Sequence, residues 1–382
     1  MRIAIITETF LPSTDGIVTR LCASIRWLKN NGHEVLIIAP DLGVTDFEGT
    51  PVAGVPAYTF FLYKDKKFSF LSRKVKSYLL NFQPNLVHVV NPAFLGVAGI
   101  FYAKRLMFPL VASYHTNVPK YADYYHLSFL KPALWWYFRT LHNRADLNLC
   151  TSQSVLTELK EKKFKNIHYW KRGVDTEQYH PYRFNAAMRE RLTAGQKDKK
   201  LLLYVGRLAP EKDIEKIRLV LEQSNDFCLA IVGDGPHRAF LEQYFKDTDT
   251  VFTGFLHGDE LASAYASSDI FVFPSTTETL GLVLLEAMAS GLPVVAAKSG
   301  PTSEQVNDGI TGLLYTNQNE FVRLIFELKD GSFRLKLGQQ ACTVSQMVGW
   351  DAPSNQLLDF YKETFSKHRQ PAKVLRENHL YK

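Results

Sequence analysis

Compact apolar runs, each followed by an amphipathic stretch and then another such run, recur from one end of this chain to the other. Runs such as residues 270–273 are apolar without alternation, which suits strands covered on both faces. Strands alternating with helices imply parallel sheets linked by crossover helices. Residues 3–7, 34–39, 86–90, 110–114 and 147–150 read as strands of a first series, with a helix over 18–30. A second series opens at 201–206 and continues at 228–232, 250–253, 270–273 and 294–296. At 382 residues and 46% apolar content, the chain can fill two cores. The expected architecture is α/β, with two doubly wound, Rossmann-like parallel-sheet domains facing a cleft. Residues 1–180 form the first domain and 197–350 the second, joined through the polar segments 171–181 and 183–196. Ligands of such sheets sit beyond the carboxyl ends of the strands.

Composition narrows the class. Cys22, Cys150, Cys228 and Cys342 are scattered without CxxC spacing, which fits reduced, buried thiols in a cytosolic protein and argues against a cysteine metal site. The N-terminus is itself a strand, so no signal peptide is expected. No apolar run approaches the roughly 20 residues that span a bilayer.

The stretch 270–293 carries the most chemistry. It reads as a buried strand, a short polar loop holding Glu278, and a helix holding Glu286 that Gly291 and Pro293 stop. The amides of Thr279, Leu280 and Gly281 are then donors at a helix start, a seat for phosphate. Two carboxylates beside such a seat would repel the phosphate itself. They suit hydroxyl groups on either side of it, one on a sugar and one on a ribose, which outlines a sugar-nucleotide site.

Other loops fall at strand ends. Arg207 and Lys212 follow the first strand of the second series, where two cations can clamp a diphosphate; ordinary surface charge is the plain alternative for the loop taken alone. Gly16, after Asp15 and ahead of the first helix, lets backbone approach a ligand, or is simply a turn glycine. Gly233-Asp234-Gly235-Pro236 resembles the start of a dinucleotide fingerprint, but it lacks the third glycine, so an oxidoreductase is disfavoured. Asp247 and Asp249 have the spacing of a metal-assisted site but lie in a polar loop, and a solvated loop is the favoured reading. No metal or other cofactor is expected.

His115 follows the strand 110–114, at the inner lip of the first domain. It can hydrogen-bond a sugar hydroxyl or stabilise transition-state charge, or be a satisfied structural histidine. Tyr121, Tyr124 and Trp135 belong to an aromatic segment with Lys120, Lys131 and Arg139, suited to core packing or to a membrane interface and lipid acceptor. The net charge is +7, and much of it is local: Lys64, Lys66, Lys67, Arg73, Lys74 and Lys76 face only Asp65 within thirteen residues. Phe68, Leu71, Val75, Tyr78, Leu79 and Phe82 form an apolar stripe beside these charges. A solvated helix packed on a core and a contact with anionic lipid both fit.

These motifs resemble the GT-B retaining glycosyltransferases of family four. The resemblance is carried by Gly206-Arg207-Leu208 with Lys212, by Gly233-Asp234-Gly235-Pro236 and by the glutamate pair. Ser113-Tyr114-His115-Thr116-Asn117-Val118-Pro119, Lys171-Arg172-Gly173-Val174-Asp175, Thr253-Gly254-Phe255-Leu256-His257-Gly258 and Thr277-Glu278-Thr279-Leu280-Gly281-Leu282-Val283 extend it toward sulfolipid synthases and related lipid mannosyl- and glucosyltransferases. It implies an acceptor domain followed by a donor domain, and a final helix over 351–365 crossing back to the first. Arg207 and Lys212 would hold the donor diphosphate, with Gly16 and the amides after Glu278 completing the cradle. Glu286 would bind ribose, Glu278 the donor sugar, and His115 the sugar near its reacting face. Two departures stand out: Asp15-Gly16 and Gly300-Pro301 replace glycine pairs that many relatives carry.

The expected activity is hexosyl transfer with retained α configuration, from a nucleotide diphosphate sugar to an alcohol such as a membrane diacylglycerol or glycolipid. A UDP-sugar is preferred and GDP-mannose is the alternative donor. A cytoplasmic enzyme peripheral to the inner membrane face, with an anionic membrane surface and no nucleic acid as partner, follows from that reading. An epimerase or hydrolase using the same donor, or a non-catalytic sugar-nucleotide-binding protein, are the competing readings.

Overall fold

The computed structural model describes residues 1–60 and 63–369, and the side chains of 60, 63–66 and 369 lie outside that description. The chain divides into two compact units. One comprises Met1–Lys171 and the helix Asp351–Arg369, the other Arg172–Gly349.

The first unit is built on an eight-stranded sheet in the order Ile167–Tyr169, Leu147–Cys150, Leu110–Tyr114, Leu86–Val90, Arg2–Thr7, Glu34–Pro40, Thr50–Val55, Asp46–Phe47. Every pairing is parallel except that of the outermost strand. All five residues of Leu86–Val90 are buried, His88 among them, because helices cover both faces of the sheet. Strand order reverses between Arg2–Thr7 and Leu86–Val90, which makes the crevice at their carboxyl ends the switch point.

The closing helix Asp351–Arg369 returns to this unit. Leu357, Leu358 and Tyr361 join the core that holds Ile3, Ile5 and Trp170. The Trp170 indole donates to the carbonyl of Pro353 at 2.9 Å, and Gln356 bonds backbone groups of Tyr169 and Lys171.

The second unit carries a six-stranded, wholly parallel sheet in the order Thr250–Gly254, Phe227–Val232, Lys200–Val205, Ile270–Phe273, Val294–Ala297, Gly312–Tyr315. This is the doubly wound order 3-2-1-4-5-6, with its switch point between Lys200–Val205 and Ile270–Phe273. Residues 172–196 do not form a free linker. Val174 donates to Val348 at 2.9 Å and Arg189 pairs with Asp269 at 2.7 Å, so they are bound into this unit.

The basic stripe requires a correction. Lys64, Lys66 and Lys67 lie on the strand Tyr63–Phe68, which pairs with Tyr58–Phe60, and the helix begins only at Arg73. Ser69 to Ser72 interrupt the helical spacing. On Arg73–Phe82, Val75 and Leu79 are buried while Arg73, Lys74 and Lys76 face solvent.

Candidate functional site: a cation and carboxylate cluster at a switch point

The second unit brings its charged residues to the carboxyl ends of its two central strands. Arg207 and Lys212 follow Lys200–Val205, and Glu278 follows Ile270–Phe273. The Lys212 ammonium and the Glu278 carboxylate form an ion pair that is mostly shielded from water. Arg207 lies 3.5 Å from Glu211, a buried acid whose carbonyl accepts from Thr277 in the loop before Glu278.

The loop carrying Arg207 owes its position to two glycines. A Cβ on Gly233 would overlap the carbonyl oxygen of Gly206, and one on Gly235 would overlap that of Leu208. Leu208 donates to the carbonyl of Asp234 at 3.0 Å, and His237 to that of Leu208 at 3.1 Å. The Gly233-Asp234-Gly235 motif therefore laces two loops together; without Cβ atoms the backbones approach closely enough to bond.

Glu286 lies on the helix Leu282–Ala289, where seven of eight residues are buried, so this helix has no solvated face. Burial pushes its carboxyl up to about 7, partly offset by the Tyr265 hydroxyl, which donates to it at 2.9 Å. Burial and the neighbouring Glu286 hold the Tyr265 and Tyr179 phenols well above their ordinary range. Gly281 caps the helix in the left-handed region with no side-chain capping bond, while Thr279 and Leu280 are buried beside it. The carbonyl of Leu280 accepts from Gln305. Among these residues, the sequence alone gave no pointer to Glu211, Tyr265 or Gln305.

The first unit treats its corresponding helix starts differently. At its switch point the Glu8 carboxylate accepts from the amides of Ala93, Phe94, Leu95 and Gly96, at 2.8 to 3.1 Å. That carboxylate takes up the donors at the start of Leu95–Arg105. At the helix Gly16–Asn30, Asp15 accepts from Ile17 and Val18 at 3.1 and 3.2 Å. An N-cap carboxylate thus takes two of the amides at this helix start, just after Gly16. Nothing in the sequence pointed to Glu8.

His115 directly follows the strand Leu110–Tyr114 and is 8% exposed. Its Nε2 lies 2.9 Å from Ser113 Oγ, and its ring meets Trp170 edge-on. Burial, then the Arg20 guanidinium stacked on Trp170, keep this imidazole neutral.

The aromatic segment is divided between core and surface. Trp135 is half-buried against Phe164, whereas Trp136 and Phe129 are exposed, at 59% and 75%. Tyr121 and Tyr124 are half-buried, and Lys120 and Lys131 are paired with Glu158 and Asp123. Asp249 pairs with Lys199 and bonds Gln196 at the surface, in keeping with a solvated loop. Among the described residues no helix is long and apolar enough to cross a membrane.

Comparison with known proteins agrees with the topology. Residues 14–178 match the model of Glycosyltransferase Family 4, and residues 189–342 that of Glycosyl transferases group 1. The chain is 35% identical to sulfoquinovosyl transferase SQD2 of Arabidopsis thaliana, over 90% of this chain and 69% of that protein. It is 34% identical to a GDP-mannose-dependent alpha-mannosyltransferase of Corynebacterium glutamicum, over 96% and 90%. It is 28% identical to alpha-monoglucosyldiacylglycerol synthase of Streptococcus pneumoniae, over 86% and 78%. The solved structure of Anabaena HepE in complex with UDP and glucose superimposes with a TM-score of 0.78 at 19% identity, covering 95% of this chain and 100% of HepE.

Proposed function

This chain belongs to the group 1, family 4 glycosyltransferases of GT-B fold and is a hexosyltransferase; from that premise we propose the donor, the acceptor and the stereochemistry. The donor is a nucleotide diphosphate sugar held by the second unit. Arg207 and Lys212 take the diphosphate, the amides of Thr279, Leu280 and Gly281 add donors, Glu278 binds the sugar and Glu286 the ribose. The observation that carries this assignment is the convergence of Lys212, Glu278, Arg207 and Glu211 at one switch point.

The acceptor is an alcohol on a membrane lipid, a diacylglycerol or glycolipid. The name of the monoglucosyldiacylglycerol synthase supports this, as do the exposed Phe129 and Trp136 and the solvated Arg73, Lys74 and Lys76. Those side chains suit the interface of an anionic membrane on its cytoplasmic side, with the protein peripheral to it. A UDP-sugar is the preferred donor; the GDP-mannose-dependent relative makes GDP-mannose the specific competitor.

The acceptor hydroxyl attacks the anomeric carbon on the face the diphosphate leaves. The bond from that carbon to the diphosphate oxygen breaks, and a phosphate oxygen takes the hydroxyl proton. Arg207 and Lys212 neutralise the charge that develops on the leaving group, without a metal. His115 of the first unit hydrogen-bonds the sugar. The α configuration is retained. The test is radiolabel transfer from a panel of nucleotide sugars into extracted lipids, with chelator in one arm and the anomeric configuration read by NMR. Sugar released only to water, an inverted product or abolition by chelator would each overturn its part of the reading.

A further inference from the structure

A buried polar chain joins the closing helix to His115, entirely within the first unit. Tyr361 Oη lies 2.7 Å from His88 Nδ1, His88 Nε2 lies 2.9 Å from Ser113 Oγ, and Ser113 Oγ lies 2.9 Å from His115 Nε2. Tyr361, His88 and Ser113 are all fully buried, so each polar hydrogen in the chain needs a protein partner. Among the described residues, Tyr361 Oη bonds only His88, and Ser113 Oγ only the two histidines.

Proton counting then fixes the direction. If Tyr361 donates to His88 Nδ1, His88 carries its proton on Nε2 and gives it to Ser113. The serine hydroxyl then donates to His115 Nε2, and every hydrogen is used. If the chain ran the other way, the Tyr361 hydroxyl hydrogen would be orphaned in the core. If Ser113 accepted from both rings, its own hydrogen would be. A buried donor with no partner loses its bond to water and gains nothing in return, so both of those arrangements are disfavoured.

We propose that Tyr361 is a positioning residue which, through His88 and Ser113, holds His115 as the neutral tautomer protonated on Nδ1. The Nε2 lone pair is engaged by Ser113, so His115 donates from Nδ1 and does not serve as a general base. The proton of the acceptor hydroxyl must go elsewhere, which the donor phosphate supplies. This deepens the role proposed above for His115 and rests on it for its catalytic meaning, but not for the tautomer.

The test is two-bond proton–nitrogen correlation NMR on the full chain labelled with 15N-histidine, with His115 assigned from the signals lost in His115→Gln. The expected result is a protonated-type shift for His115 Nδ1 and an unprotonated-type shift for Nε2. In Tyr361→Phe the directional bias is gone, so the two His115 shifts move toward each other, and kcat falls while the donor KM holds. Ser113→Ala gives the same shift change from inside the chain. A His115 protonated on Nε2 in the parent protein, or ring shifts unmoved in both variants, would overturn the relay. The parent spectrum decides even if a variant does not fold. Full activity of His115→Gln would remove the catalytic role of His115 while leaving the tautomer result intact.

Discussion

Lys212 and Glu278 neutralise one another across the carboxyl ends of two neighbouring strands, although 66 positions separate them in the chain. In the binding mode proposed above, the diphosphate and the sugar would each compete for one member of that pair. The charges on which both ligands would act are already set against each other in a partly dehydrated place.

Removing the cation should cost the reaction more than the fold. Lys212→Ala or Arg207→Ala is expected to lower kcat by about 10²- to 10³-fold, as loss of one transition-state donor does elsewhere. Steady-state kinetics with the identified donor give the answer. Activity within twofold of the parent would remove either residue from the diphosphate site.

Glu286 makes stability depend on pH with a defined sign. Its carboxyl titrates near 7 in the folded protein, against an ordinary value of 4.5. Between those values the folded state keeps a proton that the unfolded chain has lost. Stability therefore falls as pH rises through that window, by at most about 3 kcal/mol, and levels off above it. Glu286→Gln should abolish that fall, seen as a Tm difference that grows in the variant's favour across the window. Parallel Tm curves would contradict it. Donor binding should move the opposite way, tightening as the carboxylate forms.

Glu8 is expected to matter for folding. Glu8→Ala leaves four amides at a helix start without their carboxylate, at a cost of about 2 to 4 kcal/mol. Glu8→Gln should fall between that variant and the parent. Chemical denaturation measures both, and an unchanged midpoint for Glu8→Ala would show that water replaces the carboxylate without loss.

The membrane reading has a direct check in liposome flotation. Co-flotation should need anionic lipid and weaken with salt, and Phe129→Ser with Trp136→Ser should reduce it severalfold. Equal flotation on neutral vesicles, or none on either, would set the lipid surface aside.

Legibility of the fold tracked burial. Runs such as Leu86–Val90 and Ile270–Phe273 have no polar face, and their bounds could be read directly. The edge was harder: Pro51 and Gly54 interrupt Thr50–Val55, and Asp46–Phe47 is two residues long. Phe68, Leu71 and Val75 keep helical spacing across a strand end, a loop and a helix start, so periodicity misled there. Within the site, Lys212, Arg207, Glu278 and Glu286 stood out because their motifs are local. Tyr361 and Tyr265 did not, because each acts on a residue distant in sequence, and Glu8 looked like any acid after a strand.

Glu8 has one more consequence. By setting its own carboxyl group at the switch point, the first sheet has already engaged four helix-start amides that an anionic guest would use there. An uncharged guest makes no demand on those donors, which is in keeping with the acceptor proposed above. A single acidic side chain thus sets this crest apart from the one where Arg207 and Lys212 gather.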